Sequence, residues 1–272
     1  MNLISETSEK YAKRLEEIRG EPMSKSRLLT YINCPRKFQF EYLCGGREQK
    51  PKPLDGSPLV IGTEVHEIYE WFYKQPEAAK ITEPYYESII RILDKHPLAY
   101  KYDKFMMNFA LFNSETIIPD AGVPGYIPEG IELDLINKDM GMRGIIDVVA
   151  IQGDGSRVIL DYKTGKKAKP ITEYRLELTL YKIIYEATVG KPVSYVGIYF
   201  PAVNQLRMTG VEGRSYNEKG PLITEEDEMY AMAVLEDTRE KINNNYFPVR
   251  PNFLCGWCDY QDECQKKGLL DL

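Results

Sequence analysis

The sequence lacks any run approaching the ~20 apolar residues of a membrane-spanning helix, so a helical membrane protein is excluded as a reading. Its opening residues, MNLISETSEKYAKRLEEIRG, have no apolar core of the kind a secretory signal carries, and a cytoplasmic protein is expected. An internal repeat, a low-complexity tract and a phosphate-binding GxxxxGKS/T loop are all missing, and the last absence excludes an encoded helicase motor. Positive charge is not in excess: 35 Lys and Arg stand against 41 Asp and Glu, for a formal net charge of -6. A nucleic-acid binder of this composition must gather its positive charge locally. Disulfides are not favoured either. Five cysteines, an odd number, in a reducing compartment point instead to a metal or cluster. Only two histidines occur, and His96, directly before Pro97, is given no role.

What is present is a 272-residue chain with 43% hydrophobic and 28% charged residues, enough for one large domain with an elaboration. Residues 1–23 read as an N-terminal helical extension. Residues 24–43 read as helix, broken and restarted at Pro35, and GGREQKPKPLDGSP marks a boundary. A further helix is expected over 62–74, and 76–118 read as mostly helical. The pattern then turns β-branched in IELDLIN (131–137), GMRGIIDVVAIQ (141–152) and RVILDYK (157–163). A helix over 173–188, a strand over 193–200 and a long helix ending near Asn244 complete a mixed α/β order. The expected organisation is a helical region over 24–130, a core over 131–245 and a C-terminal segment over 246–272.

The Gly-Asp-Gly at 153–155 is a turn signal between two strands. A hairpin centred on Asp154 sets Asp147 opposite Asp161, and the two-residue side-chain period puts Lys163 on the face of Asp161. Like charges opposed across a ladder are unfavourable. Their apolar neighbours Ile146, Val148, Ile159 and Leu160 make solvation harder still. A hard divalent cation resolves that conflict, because it takes carboxylate oxygens and retains waters. Such a site suits phosphodiester hydrolysis, with Lys163 orienting water or countering charge on the phosphate. The competing reading is a solvated hairpin with an Asp161–Lys163 surface ion pair.

Cys255, Cys258 and Cys264 form a C-x2-C-x5-C set, one thiolate short of a four-coordinate site. The fourth must be Cys34 or Cys44, and spacing does not separate zinc from iron. Lys163, Lys166, Lys167 and Lys169 lie beside the proposed metal, and Arg36, Lys37, Lys266 and Lys267 flank the cysteines. These are candidate phosphate contacts. Tyr85, Tyr86, Tyr100, Tyr102, Phe105 and Phe109 could stack unpaired bases or simply fill a core.

Taken in order, SKSRLLTYINCPRKFQFEYL, GTEVHEIYEWF, GIIDVVAI, VILDYKTGK and ELTLYKIIYE resemble the PD-(D/E)xK nucleases in their RecB-type, iron–sulfur-bearing form. The resemblance implies a restriction-endonuclease-like core, a mixed central sheet flanked by helices, with a helical N-terminal part and a C-terminal iron–sulfur staple. It implies His66, Asp147, Asp161 and the Tyr162 carbonyl as ligands of Mn²⁺ or Mg²⁺, Lys163 as the catalytic lysine, and Tyr181 at the substrate or active-site network. It favours Cys34 as the fourth cysteine, with Cys255, Cys258 and Cys264, around a 4Fe–4S cluster, and leaves Cys44 as a buried apolar residue. The expected activity is a DNA exonuclease acting on single strands or DNA ends, with helicase or CRISPR-adaptation proteins as candidate partners. Glu177 stands where the family usually has Gln, and an ionised carboxylate cannot donate a hydrogen bond. The alternative is a catalytically inactive, cluster-stabilised DNA-binding subunit.

Overall fold

The fold is described from a computed structural model over residues 3–81, 86–114, 128–152, 155–211 and 223–268. The elements run α1 (Glu9–Gly20), β1 (Met23–Ser24), α2 (Lys25–Asn33), α3 (Pro35–Phe38) and α4 (Gly46–Gln49). Next come α5 (Pro58–Tyr73), α6 (Tyr86–Leu93), α7 (Asp103–Phe112), β2 (Gly130–Asn137), β3 (Met142–Ile151) and β4 (Arg157–Tyr162). The chain continues through α8 (Arg175–Val189), β5 (Tyr195–Phe200), β6 (Gln205–Gly210), α9 (Glu225–Asn243) and α10 (Gln261–Lys266). This is a mixed α/β architecture, as the sequence pattern implies. None of the helices in the described residues is long and apolar enough to cross a membrane.

The chain divides into two compact units. One gathers the described residues of Met1–Lys52, Ile136–Arg143 and Tyr230–Leu272; the other holds Pro53–Leu135 and Gly144–Met229. The expected contiguous region 24–130 is therefore split between Lys52 and Pro53, and Cys34 and His66 fall in different units. The C-terminal segment, expected to join the Cys34 region, lies in one unit with the N-terminal helices. The reason is pairing at long range. Met23 lies beside Met142 in a parallel bridge, and the Tyr31 hydroxyl donates to the Tyr246 carbonyl at 2.5 Å. Phe247 packs against Tyr31 and Phe38.

In the first unit the helix starts follow capping chemistry. Ser8 and Ser24 accept backbone N–H bonds as N-caps of α1 and α2. Cys34 ends α2 and Pro35 opens α3, which is the expected break. In the second unit α5 begins at Pro58, earlier than the expected Gly62, because Ser57 caps it and Pro58 takes the first turn. The apolar face of α5, Val65, Ile68, Tyr69, Phe72 and Tyr73, recurs at helical spacing and is buried. It shares a core with Val148, Ala150, Val158, Leu160 and Tyr162 of the sheet.

In that unit β3 pairs antiparallel with β4, Val148 facing Leu160 and Ile151 facing Arg157. This is the register of a turn centred on Asp154, although Gly153 and Asp154 themselves lie outside the described residues. The β4–β5 pairing is parallel, with Asp161 beside Ile198, and β6 adds antiparallel to β5. The sequence reading did not anticipate β6, whose GlnLeuArgMetThrGly segment carries little apolar signal.

The aromatics offered as a base-stacking platform mostly serve the core instead. Phe109 is fully buried and stacks on Tyr69 at 3.9 Å. Tyr102 is buried, and Tyr86 and Phe105 are half-buried against the same core. Tyr100 alone of the described set is exposed, and Tyr85 lies outside the described residues. A period of 3.6 that faces a sheet buries its rings before any ligand reaches them.

Candidate functional site

Four elements of the second unit converge on one acidic centre. The α5 helix carries His66, β2 carries Glu132, β3 carries Asp147, and the end of β4 carries Asp161, Tyr162 and Lys163 in succession. His66 Nδ1 lies 3.6 Å from Glu132 Oε1 and 3.7 Å from Asp147 Oδ2. Its other nitrogen, Nε2, lies 3.1 Å from the Tyr162 carbonyl oxygen. The hairpin ladder gives way at this point. Asp147 lies one residue beyond the Val148–Leu160 pair, and its Oδ2 accepts from the Tyr162 N–H, two residues beyond Leu160, at 2.6 Å. The backbone of Tyr162 is thus engaged on both sides by expected site residues.

Asp147 and Asp161 are both buried, 7% and 2% exposed. Burial, and then the negative charge of Asp161, push the Asp147 carboxyl up to about 7, against the pull of His66 and the Tyr162 N–H. For His66, burial disfavours the imidazolium, but Glu132, Asp147 and Asp161 outweigh it and raise its pKa. Two carboxylates buried in a low-dielectric wall, one of them beside an imidazole, form a site whose charge favours a cation.

Lys163 answers part of that charge. Its Nζ lies 2.6 Å from Asp161 Oδ2 and 2.9 Å from Glu177 Oε1. Glu177 and Tyr181 sit one turn apart on α8, so both reach the same side; the Tyr181 hydroxyl donates to Asp161 Oδ1 at 3.4 Å. Glu177 therefore accepts from the lysine, a role an ionised carboxylate fills without a donor of its own. Lys166, Lys167 and Lys169 are exposed beyond this point, and Lys169 pairs with Glu173 at 3.0 Å.

The donor set fits a divalent cation. Ligands at ~2.1 Å on adjacent vertices of an octahedron stand about 3.0 Å apart, and opposite ones about 4.2 Å. One donor atom from each of His66, Glu132 and Asp147 falls within 4.8 Å of the others. The His66 Nε2 to Tyr162 oxygen distance of 3.1 Å matches neighbouring positions. Glu132 is the member that sequence reasoning missed. A glutamate in the alternating pattern of IELDLIN reads as a solvated strand residue, and nothing local marks it.

The first unit holds a second constellation. Cys34, Cys255, Cys258 and Cys264 line one cavity of about 210 Å³, together with Lys37, Asn252, Leu254, Trp257 and Tyr260. Cys44 does not line it and is buried elsewhere. Burial, with the neighbouring Cys258, Cys34 and Cys255 adding to it, pushes the Cys264 thiol up to about 11. No three of these sulfurs come within 4.8 Å of one another, whereas thiolates around one zinc at ~2.3 Å stand about 3.8 Å apart. Of the flanking cations, Arg36 and Lys267 pair with Glu6, and Lys266 pairs with Glu263.

The arrangement is a two-strand acidic hairpin with Asp161, Tyr162 and Lys163 at its exit, beside a helix bearing Glu177 and Tyr181. The chain belongs to the PD-(D/E)XK nuclease superfamily, whose family model matches residues 22–265. Among solved structures, a Eubacterium rectale protein named "Putative exonuclease" is similar over 99% of this chain and 96% of its own, at 14% identity and a TM-score of 0.50. Another, SSO0001, aligns over 96% of this chain and 95% of its own, at 14% identity and a TM-score of 0.42. No curated protein sequence matches this chain.

Proposed function

We propose that the chain is a metal-dependent deoxyribonuclease of RecB type, an exonuclease acting on single-stranded DNA or DNA ends. The observation that carries the reading is the convergence of His66, Asp147, Asp161 and the Tyr162 carbonyl beside the Lys163 amine. A bound Mn²⁺ or Mg²⁺ supplies Lewis-acid polarisation of the phosphate and a water of lowered pKa. The protein's own groups do the rest. Asp147 and Asp161 present oxygens from opposed strands, and Lys163 holds positive charge where the phosphate oxygens gain negative charge. Glu177 and Asp161 fix that amine in place. Because the donor set includes an imidazole, Mn²⁺ is favoured over Mg²⁺.

Cys34, Cys255, Cys258 and Cys264 hold a 4Fe–4S cluster in the same reading. The gathering of these four cysteines around one cavity supports that reading. The cluster acts as a staple between the N-terminal helices and the C-terminal segment, and helicase or CRISPR-adaptation proteins remain candidate partners.

The test is degradation of end-labelled linear and circular single-stranded DNA, with Mn²⁺ or Mg²⁺. The expected result is cleavage of the linear form alone, faster with Mn²⁺, lost in Asp161→Ala with iron content unchanged. Cleavage by Asp161→Ala at the wild-type rate would refute the site, and a colourless protein containing zinc would refute the cluster.

A further inference from the structure

The geometry points to Glu132 as a positioning residue that sets the His66 ring for the metal, an inference that rests on the metal-dependent reading above. His66 offers its two nitrogens to different partners. Nε2 is directed at the Tyr162 carbonyl oxygen, 3.1 Å away, while Nδ1 faces two carboxylates, Glu132 at 3.6 Å and the proposed ligand Asp147 at 3.7 Å. A histidine that binds a metal through one nitrogen commonly gives its other N–H to a carboxylate, which fixes both tautomer and ring orientation. Glu132 stands where that carboxylate is needed.

The backbone at Glu132 supports this. Among the described residues three non-glycines have positive φ: Glu132 at 44°, Asn204 at 48° and Asn245 at 55°. Asparagine tolerates this region, but glutamate rarely adopts it. Within β2 an ordinary strand conformation would alternate the side chains regularly, whereas the left-handed twist at Glu132 re-aims one of them. The carboxylate is also reachable by water, at 26% exposed, so it is not held there to fill the core. A strained residue kept beside a candidate metal centre is an observation from which function can be inferred.

The experiment measures Mn²⁺ binding to the full chain without DNA, by the electron paramagnetic resonance signal of free Mn²⁺, and thermal unfolding in parallel. Glu132→Ala should weaken Mn²⁺ binding by about 10- to 100-fold. Glu132→Gln keeps a side-chain oxygen at the same reach and should recover most of that loss. Glu132→Asn suits the left-handed backbone but is one carbon shorter, so it should melt like wild type and bind like Glu132→Ala. In a His66→Ala background, Glu132→Ala should add no more than about twofold, because residues acting as one unit are not additive.

Wild-type affinity in Glu132→Ala would overturn the inference. So would a further tenfold loss in the His66→Ala background, which would make Glu132 an independent ligand. A folded wild-type chain that binds no Mn²⁺ would overturn the metal reading itself, and the Glu132 inference with it.

Discussion

Replacing Lys163 by Met tests how the acidic centre is balanced, because Met keeps most of the side-chain volume and removes only the charge. Lys163 Nζ sits 2.6 Å from Asp161 and 2.9 Å from Glu177, and those carboxylates are 2% and 7% exposed. Removing one partner of a buried ion pair costs about 3–5 kcal/mol, because the remaining charge stays out of water. Lys163 itself is 28% exposed, so solvent screens part of the interaction and about 2–3 kcal/mol is expected. Asp161 also keeps its contact with the Tyr181 hydroxyl, which bounds the loss from above. The assay is urea unfolding in EDTA of wild type, Lys163→Met, Glu177→Gln and the double variant. Glu177→Gln should destabilise the wild type slightly and stabilise Lys163→Met, with a coupling of about 1–3 kcal/mol. The reasoning is refuted if Lys163→Met unfolds within 0.5 kcal/mol of wild type, a limit on the order of an ordinary surface substitution. It is equally refuted if Glu177→Gln has the same effect in both backgrounds.

Burial alone would raise the Glu129 carboxyl, but Arg157, Lys191 and Tyr185 hold it down to about 2, below its ordinary 4.5. Its stabilising effect is therefore complete above pH 4.5 and fades as the pH falls towards 2. With the side chain 20% exposed, the effect is about 1–2 kcal/mol after screening. Glu129→Gln should lose this much at pH 7, about a quarter of it at pH 2.5 and almost nothing at pH 1; equal losses at pH 7 and pH 1 would rule it out. On the cluster proposed above, Cys34→Ala should give a colourless protein that melts lower and is cut by protease at both ends, since a staple closing nearly the whole chain would be worth about 5 kcal/mol. Asp147→Ala should instead stay coloured and stable without cleaving DNA; a coloured, stable Cys34→Ala protein would move the fourth ligand elsewhere.

Much of the acidic centre is local in origin and was therefore legible. The Gly-Asp-Gly turn and the flanking β-branched runs set the β3–β4 register, because a hairpin's pairing follows from its loop. Asp161, Tyr162 and Lys163 are consecutive at the end of β4, so their alternation needs no tertiary information. Glu177 and Tyr181 share a helix face by spacing alone. The start of α5 was also written in the chain, in Ser57 and Pro58, but a Gly/Pro-rich stretch masked the cap.

Other features needed the folded chain. Spacing leaves Cys34 and Cys44 open, each at a helix end, and only Cys34 lines the 210 Å³ cavity with Cys255, Cys258 and Cys264. The division of the chain at Lys52, with the C-terminal residues returning to the N-terminal helices, depends on contacts such as Tyr31 to Tyr246. Glu132 is the sharpest case. Its sequence pattern is that of any half-exposed strand residue, and its positive φ is visible only in the folded chain. Periodicity, turn chemistry and capping act over a few residues, so the sequence by itself determined most of the elements, though not β6, and the register of the hairpin. Which helix brings its histidine to that face, which strand bends a carboxylate towards it and which cysteine completes the quartet were decided only by tertiary packing, because burial and charge balance are properties of the assembled neighbours.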